Sequence, residues 1–272
     1  MSSSGAGRSP LEPGLRSLLA EPDVVLGAMS LGEAWHVDML ATLGYDFVWL
    51  DAEHGTFSAA ELEQLTLLAA RSGAPAMVRT ARANTNLAQK ALEAGAGALL
   101  VPMCESAEDA AAFVDAVHFP PAGRRGYYGL GTDAAYGLRE GSDYFEQAAH
   151  STFVIVQIEG SAAVEQAAAI ARVPGVDMLF VGTADLAVSV NETPGSTSPR
   201  LQAMIEDVAS IAADAGLPWG TVANSPAVAE SMVALGARLL CLSSPRRIIV
   251  QAYEERRKSF FDSKLAPALN LK

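Results

Sequence analysis

Short apolar runs alternate along this chain with longer segments in which Ala, Leu and Glu recur at helical spacing. The runs "VVLGAM", "FVWLDAEH", "PAMVRT", "ALLVPMC", "FVIVQIEG", "DMLFVGTAD", "PWGTVAN" and "RLLCLSS" predict eight strands. Between them, segments such as "SAAELEQLTLLAARSG", "NLAQKALEAG", "SAEDAAAFVDAVHF" and "SPAVAESMVALG" open on Ser or Asn, and several close on Gly, as helix ends require. Eight strand–helix units predict an α/β chain folded as one (β/α)8 TIM barrel over residues 23–264. An open doubly wound sheet is the competitor, but no G-x-G-x-x-G follows the first strand, so a dinucleotide site lacks its signature. Residues 1–22 read as a mobile N-terminal segment and 265–272 as a C-terminal tail. Two connections are longer than a plain barrel needs, "PPAGRRGYYGLGTDAAYGLREGSDY" and, after the sixth strand, "VNETPGSTSP". Such loops serve as lids or binding walls, or are simply mobile. Arg124 and Arg125 tilt the first toward binding anions, a solvated loop charge being the alternative.

Composition narrows the function classes. Half of the 272 residues are hydrophobic, enough for one large core. The net charge is -12, and no Lys/Arg cluster is interleaved with aromatics, so nucleic acid has no electrostatic footprint and anionic membranes are disfavoured. No apolar run approaches the roughly 20 residues that span a bilayer, and residues 1–22 lack the apolar core of a signal peptide, so a cytoplasmic location is expected. Cys104 and Cys241 fall inside apolar runs and read as inert core thiols.

In a barrel the chemistry sits at the carboxyl ends of the strands, and polar residues gather there unevenly. The second run ends in Asp51, Glu53 and His54, the third in Arg79, the fifth in Gln157 and Glu159, and the sixth in Asp185. Alternation along a strand lets Gln157 and Glu159 look into the mouth together. Two neighbouring acids repel unless neutralised, and oxygen ligands suit Mg2+ or Mn2+, which makes Glu159 and Asp185 the metal candidates. A shared proton or a salt bridge to Arg79 is the alternative. Zinc is disfavoured, because none of the four histidines has ligand spacing to a second His or Cys. None of the four lysines ends a strand, so a Schiff-base aldolase has no nucleophile; an enolate here would need a metal electrophile. The turns "VANSPAV" and "LSSPRRI" carry no glycine, which disfavours a phosphorylated substrate.

The motifs "DFVWLDAEHGTFS", "MVRTARANTNLAQKALEAGAGALLVPMCESAEDA", "FPPAGRRG", "VIVQIEGSAAVE" and "VPGVDMLFVGTADLAVSV" together resemble the HpcH/HpaI aldolase/citrate lyase family of metal-dependent 2-oxo acid aldolases. The resemblance implies a barrel that dimerises by exchanging its last helix, assembles to a homohexamer, and makes or breaks a carbon–carbon bond next to a pyruvate enolate. It puts the metal, Mg2+, Mn2+ or Co2+, on Glu159 and Asp185. It puts the 2-oxo acid carboxylate on Arg79, with Gln157, Ala184 and Arg125 lining the substrate. His54, with Asp51, would handle the aldol proton. The histidine's partner carboxylate, from a neighbouring subunit, falls on Glu93 in "LEAG", where the family has Asp. Thr183 stands where the family usually has proline, and Tyr127 and Tyr128 where it has smaller residues. The expected activity is a class II aldolase acting on a small 2-oxo acid and an aldehyde. One alternative decarboxylates oxaloacetate and traps the enolate with another electrophile. The other is a non-catalytic barrel that binds an acidic metabolite.

Overall fold

A computed structural model describes residues 14–261 other than 83, 140 and 243. Eight parallel strands hydrogen-bond in chain order: β1 (Val25–Met29), β2 (Phe47–Asp51), β3 (Ala76–Arg79), β4 (Ala98–Val101), β5 (Val154–Ile158), β6 (Met178–Val181), β7 (Trp219–Ala223) and β8 (Leu239–Leu242). β8 pairs back onto β1, so the expected barrel closes. Its helices are α1 (Leu15–Ala20), α2 (Ala34–Thr42), α3 (Ala59–Arg71), α4 (Thr85–Glu93), α5 (Ala107–Val117), α6 (Gly141–Ser151), α7 (Ser161–Ile170), α8 (Thr183–Ser189), α9 (Pro199–Ala215), α10 (Pro226–Ala234) and α11 (Pro245–Phe261).

The strands are apolar on both faces because each face has its own core. Val25, Phe47, Trp49, Met77, Leu100, Ile155, Met178, Phe180, Leu239 and Cys241 fill the interior, while alternate residues such as Val48, Leu50 and Val78 pack outward against the helices. Gly27 makes room for this interior, since a Cβ there would lie 2.2 Å from the Phe47 ring. Side chains of Ser58, Asn84, Ser106, Ser198 and Ser225 accept the orphan N–H groups that open α3, α4, α5, α9 and α10. Burial pushes the Cys104 and Cys241 thiols up to about 12, in keeping with their inert reading.

Three local expectations change. The segment expected to be mobile up to residue 22 contains α1, whose Leu15 is fully buried in the inner cluster and whose Arg16 pairs with Asp177 at 2.8 Å. An apolar barrel floor needs a lid, and α1 supplies it. Residues 1–13 and 262–272, with the predicted tail, lie outside the described residues. The first long connection ends early, because α6 begins at Gly141. The sixth strand stops at Val181, so Asp185 sits in the first turn of α8 rather than at a strand end, and "VNETPGSTSP" follows that helix. Along α11 only Pro245 is buried, and Ile248, Ile249, Val250 and Tyr253 are exposed. No helix among the described residues is long and apolar enough to cross a membrane.

Candidate active site

The alternation that packs the interior also delivers the polar residues. Two residues beyond inward-facing Trp49 and Met77 lie Asp51 and Arg79, which are register partners on β2 and β3. Arg79 donates Nε–H to Asp51 Oδ1 at 2.8 Å and Nη2–H to Asp51 Oδ2 at 2.7 Å, and its Nη1 lies 3.2 Å from Glu53 Oε2. Asp51 and Arg79 are each 6% exposed, so this is a buried bidentate pair. Burial alone would raise the Asp51 pKa, but the hydrogen bonds and charge of Arg79 outweigh it and hold the carboxyl below its ordinary value. Burial raises Glu53 above its ordinary value despite Arg79 and His54. The expected pairing of Asp51 with the His54 ring does not form. Asp51 Oδ1 meets only the His54 backbone N–H, at 3.5 Å, because Arg79 already occupies its carboxylate.

The opposite side of the mouth is built around Glu159, 5% exposed. The Met103 N–H donates to its Oε1 at 2.6 Å, and the Gln157 Nε2 donates to its Oε2. Met103 adopts a φ of 53°, a left-handed conformation uncommon outside glycine, and so aims its N–H at the carboxylate. Gly182 closes the corner: a Cβ there would fall 2.6 Å from Gln157 Nε2 and 2.7 Å from Glu159 Cβ. Burial, reinforced by the charges of Asp185 and Glu53, pushes Glu159 up to about 7. Neither Met103 nor Gly182 carries a sequence signal for this role. One contributes only backbone and the other only the absence of a side chain.

This corner fits a divalent cation. Glu159 and Asp185 line one recess of about 230 Å3 with Met103 and Cys104, and Gln157 Oε1 is buried without a hydrogen-bond partner. Among the described residues no group of three or more His, Cys, Asp and Glu side chains forms, so a cation there would meet the two carboxylates and complete its shell with substrate or water oxygens. Mg2+ and Mn2+ favour such a set.

A separate, larger hollow of about 360 Å3 is lined by Asp51, His54, Arg79, Ser30, Thr56, Ser244 and Arg246 among others, and shares no lining residue with that recess. The His54 side chain is 69% exposed, with Glu53 Oε2 3.8 Å from its Nε2. Ala184 is exposed in the first turn of α8. Two predicted residues lie elsewhere. Arg125 is buried against Asp133, 2.7 Å from its Oδ2, and over the Phe119 ring at 4.6 Å, and it lines neither mouth cavity. Asp133 also accepts the Tyr144 hydroxyl at 2.8 Å, so Arg125 anchors the long connection instead of meeting substrate within its own chain. Glu93 ends α4 and lines an outer recess with Lys90, Tyr128, Leu130 and Tyr136, apart from the same chain's His54.

Residues 30–247 match the family model of HpcH/HpaI aldolase/citrate lyase. The chain belongs to that family. It is 32% identical over 256 residues to the 2-keto-3-deoxy-L-rhamnonate aldolase of Salmonella gallinarum, covering 93% of each chain. An HpcH/HpaI aldolase/citrate lyase family protein from Burkholderia cenocepacia superposes with a TM-score of 0.82 at 31% identity, over 90% of this chain and 97% of that one. The HpcH/HpaI aldolase of Desulfitobacterium hafniense shares the fold with a TM-score of 0.86 at 24% identity, over 92% and 97%. The HpcH/HpaI protein described here is thus a class II aldolase, a carbon–carbon lyase.

Two outcomes follow from the geometry. Asp51→Asn removes the charge and one of the two acceptors that Arg79 meets on Asp51 in a buried site and lowers stability by about 3 kcal/mol, read from urea unfolding. Its wild-type contribution is present above the ordinary carboxylate pKa and is lost as pH falls through the depressed value, so the acid limb of the stability profile flattens in the variant. Glu159 has the opposite sign, and its proton competes with any cation. Calorimetric Mn2+ affinity rises by about tenfold per pH unit below 7 and levels off above it. A profile flat across that range counts against Glu159 as a ligand.

Proposed function

We propose that the protein cleaves and forms the C3–C4 bond of a 2-keto-3-deoxy acid, with pyruvate on one side and a hydroxylated aldehyde on the other. The observation that carries this reading is a barrel mouth in which a buried arginine, locked by Asp51, lies within electrostatic reach of Glu159, whose recess Asp185 also lines. The bidentate grip of Asp51 and the contact with Glu53 account for three of the five N–H groups of Arg79, leaving one on each Nη for a substrate carboxylate. Glu159 and Asp185 would hold Mg2+, Mn2+ or Co2+, and the orphaned Gln157 Oε1 stands ready to accept a hydrogen bond at that corner. A cation held there would supply Lewis-acid polarisation of the 2-oxo group, worth several kcal/mol toward negative charge developing on its oxygen.

His54 stands on the rim of the larger hollow, where the acceptor end of the substrate would lie. There its imidazole takes the proton of the C4 hydroxyl during cleavage and returns it during addition. Glu53 steers the ring within the chain. In a homohexamer built from dimers the partner subunit's Glu93 would supply the second carboxylate, an assignment supported by the exposed apolar residues of α11 and by exposed Tyr128, Leu130 and Tyr136 lining the Glu93 recess. The hydroxyls of Ser30, Thr56 and Ser244 suit a hydroxylated aldehyde, in line with the substrate named for the Salmonella relative.

In deuterium oxide, pyruvate exchanges its methyl protons when the protein is supplied with Mn2+ and stops when a chelator is added. Pyruvate is released from 2-keto-3-deoxy-L-rhamnonate under the same metal dependence. His54→Ala slows that release by about a hundredfold or more while Mn2+ affinity is unchanged. Exchange that persists in chelator, or that no divalent ion supports, defeats the reading.

A further inference from the structure

We propose that Trp49 is a positioning residue that sets the height and tilt of the Arg79 guanidinium. The role rests on the reading of Arg79 as the carboxylate grip. Trp49 lies on β2, 2% exposed, and faces the barrel interior directly below the polar layer. Its ring centroid is 5.0 Å from Arg79 Cζ. It also meets Phe180 in an edge-to-face arrangement, with centroids 5.4 Å apart and planes at 87°. Phe180 is the register partner of Gln157, so one wedged ring backs the arginine and, through Phe180, the strand pair that carries the Glu159 corner.

The bonds to Asp51 and Glu53 run to the nitrogens of the guanidinium and fix its direction, but they do not support it from below. Beneath lie the apolar side chains of the interior cluster, which offer the cation no charged partner. The electron-rich face of an indole is the surface that a desolvated cation prefers there. Trp49 Nε1 is buried without a hydrogen-bond partner, a cost that Phe or Leu would not incur. The indole is therefore held by its ring contacts alone, and what it returns for that cost is the cation–π contact.

The test uses full-length protein loaded with Mn2+ and oxalate, a planar mimic of a 2-oxo acid enolate, as the calorimetric probe. Tryptophan is replaced biosynthetically by its mono-, di- and trifluorinated forms, which drain the ring face without changing its shape. Trp35 is exposed on α2 and Trp219 belongs to the outer cluster, so Trp49 alone reads the Arg79 face. The expected result is an oxalate Kd that rises stepwise to about tenfold, a series that is flat in Trp49→Phe, and a Trp49→Leu variant weakened about tenfold with Mn2+ affinity intact. An oxalate Kd constant across the fluorinated series, or rising equally in Trp49→Phe, overturns the role of Trp49 alone. Oxalate binding that is indifferent to Arg79→Ala overturns the reading of Arg79 and this role with it.

Discussion

The mouth of this barrel is organised by one buried cation with too many anions. Asp51, Glu53 and Glu159 gather around it, with exposed Asp185 beside Glu159, and Arg79 makes direct ion pairs with the first two only. That allocation divides the mouth into an electrostatically settled half and an unsettled half. Asp51 is held below its ordinary pKa, whereas Glu159, 5% exposed and facing two other acids, rises to about 7. A buried pair replaced by packed hydrocarbon is often no less stable, so an acid cluster left short of positive charge is costly to the fold. Its chemical consequence is a concentration of uncompensated negative charge on Glu159 at one defined corner.

The barrel makes this allocation reproducible. Inward-facing positions two residues apart on β2 and β3 put Trp49 under Arg79 and Asp51 beside it, in one hydrogen-bonded register. A slip of one residue would turn all of them into the helix layer. The Glu159 corner is fixed by the backbone: the Met103 N–H on one carboxylate oxygen, and a glycine at 182 where any side chain would strike Gln157 and Glu159. Rigid elements thus hold both halves, while the more exposed His54 rides on the turn after β2.

Much of this was legible in the sequence, for a physical reason. A strand buried on both faces is a continuous apolar run, and polar residues at its carboxyl end stand out against it. Asp51, Arg79, Gln157 and Glu159 could therefore be placed from the pattern alone. Partnerships could not. Asp51 and Arg79 are 28 positions apart, and nothing local says that the arginine takes the aspartate away from His54. Arg125 looked like an anion binder because Asp133, which neutralises it, is hidden in a Gly-rich connection with no periodicity. The start of α8 was read as strand because the first turn of a helix after "FVG" has no period of its own, and α1 was missed because six residues are too few to display one.

The unsettled half also couples stability to ligand. Glu159 has a folded pKa of about 7 against an ordinary 4.5, so the ionised form opposes folding at neutral pH. Any cation that binds the folded site and not the unfolded chain recovers that loss by mass action, at about 2.7 kcal/mol for a free concentration a hundredfold above its Kd. The penalty is concentrated on one carboxylate, with Arg79 already committed to Asp51 and Glu53, and this defines what can relieve it. A lysine or arginine side chain would have to reach a recess of about 230 Å3 from outside, since none of the residues lining it is cationic. A small, oxygen-seeking divalent ion meets the same charge deficit without displacing any of them. The burial and neighbouring acids that raise Glu159 are thus the same features that would favour a divalent ion at that corner.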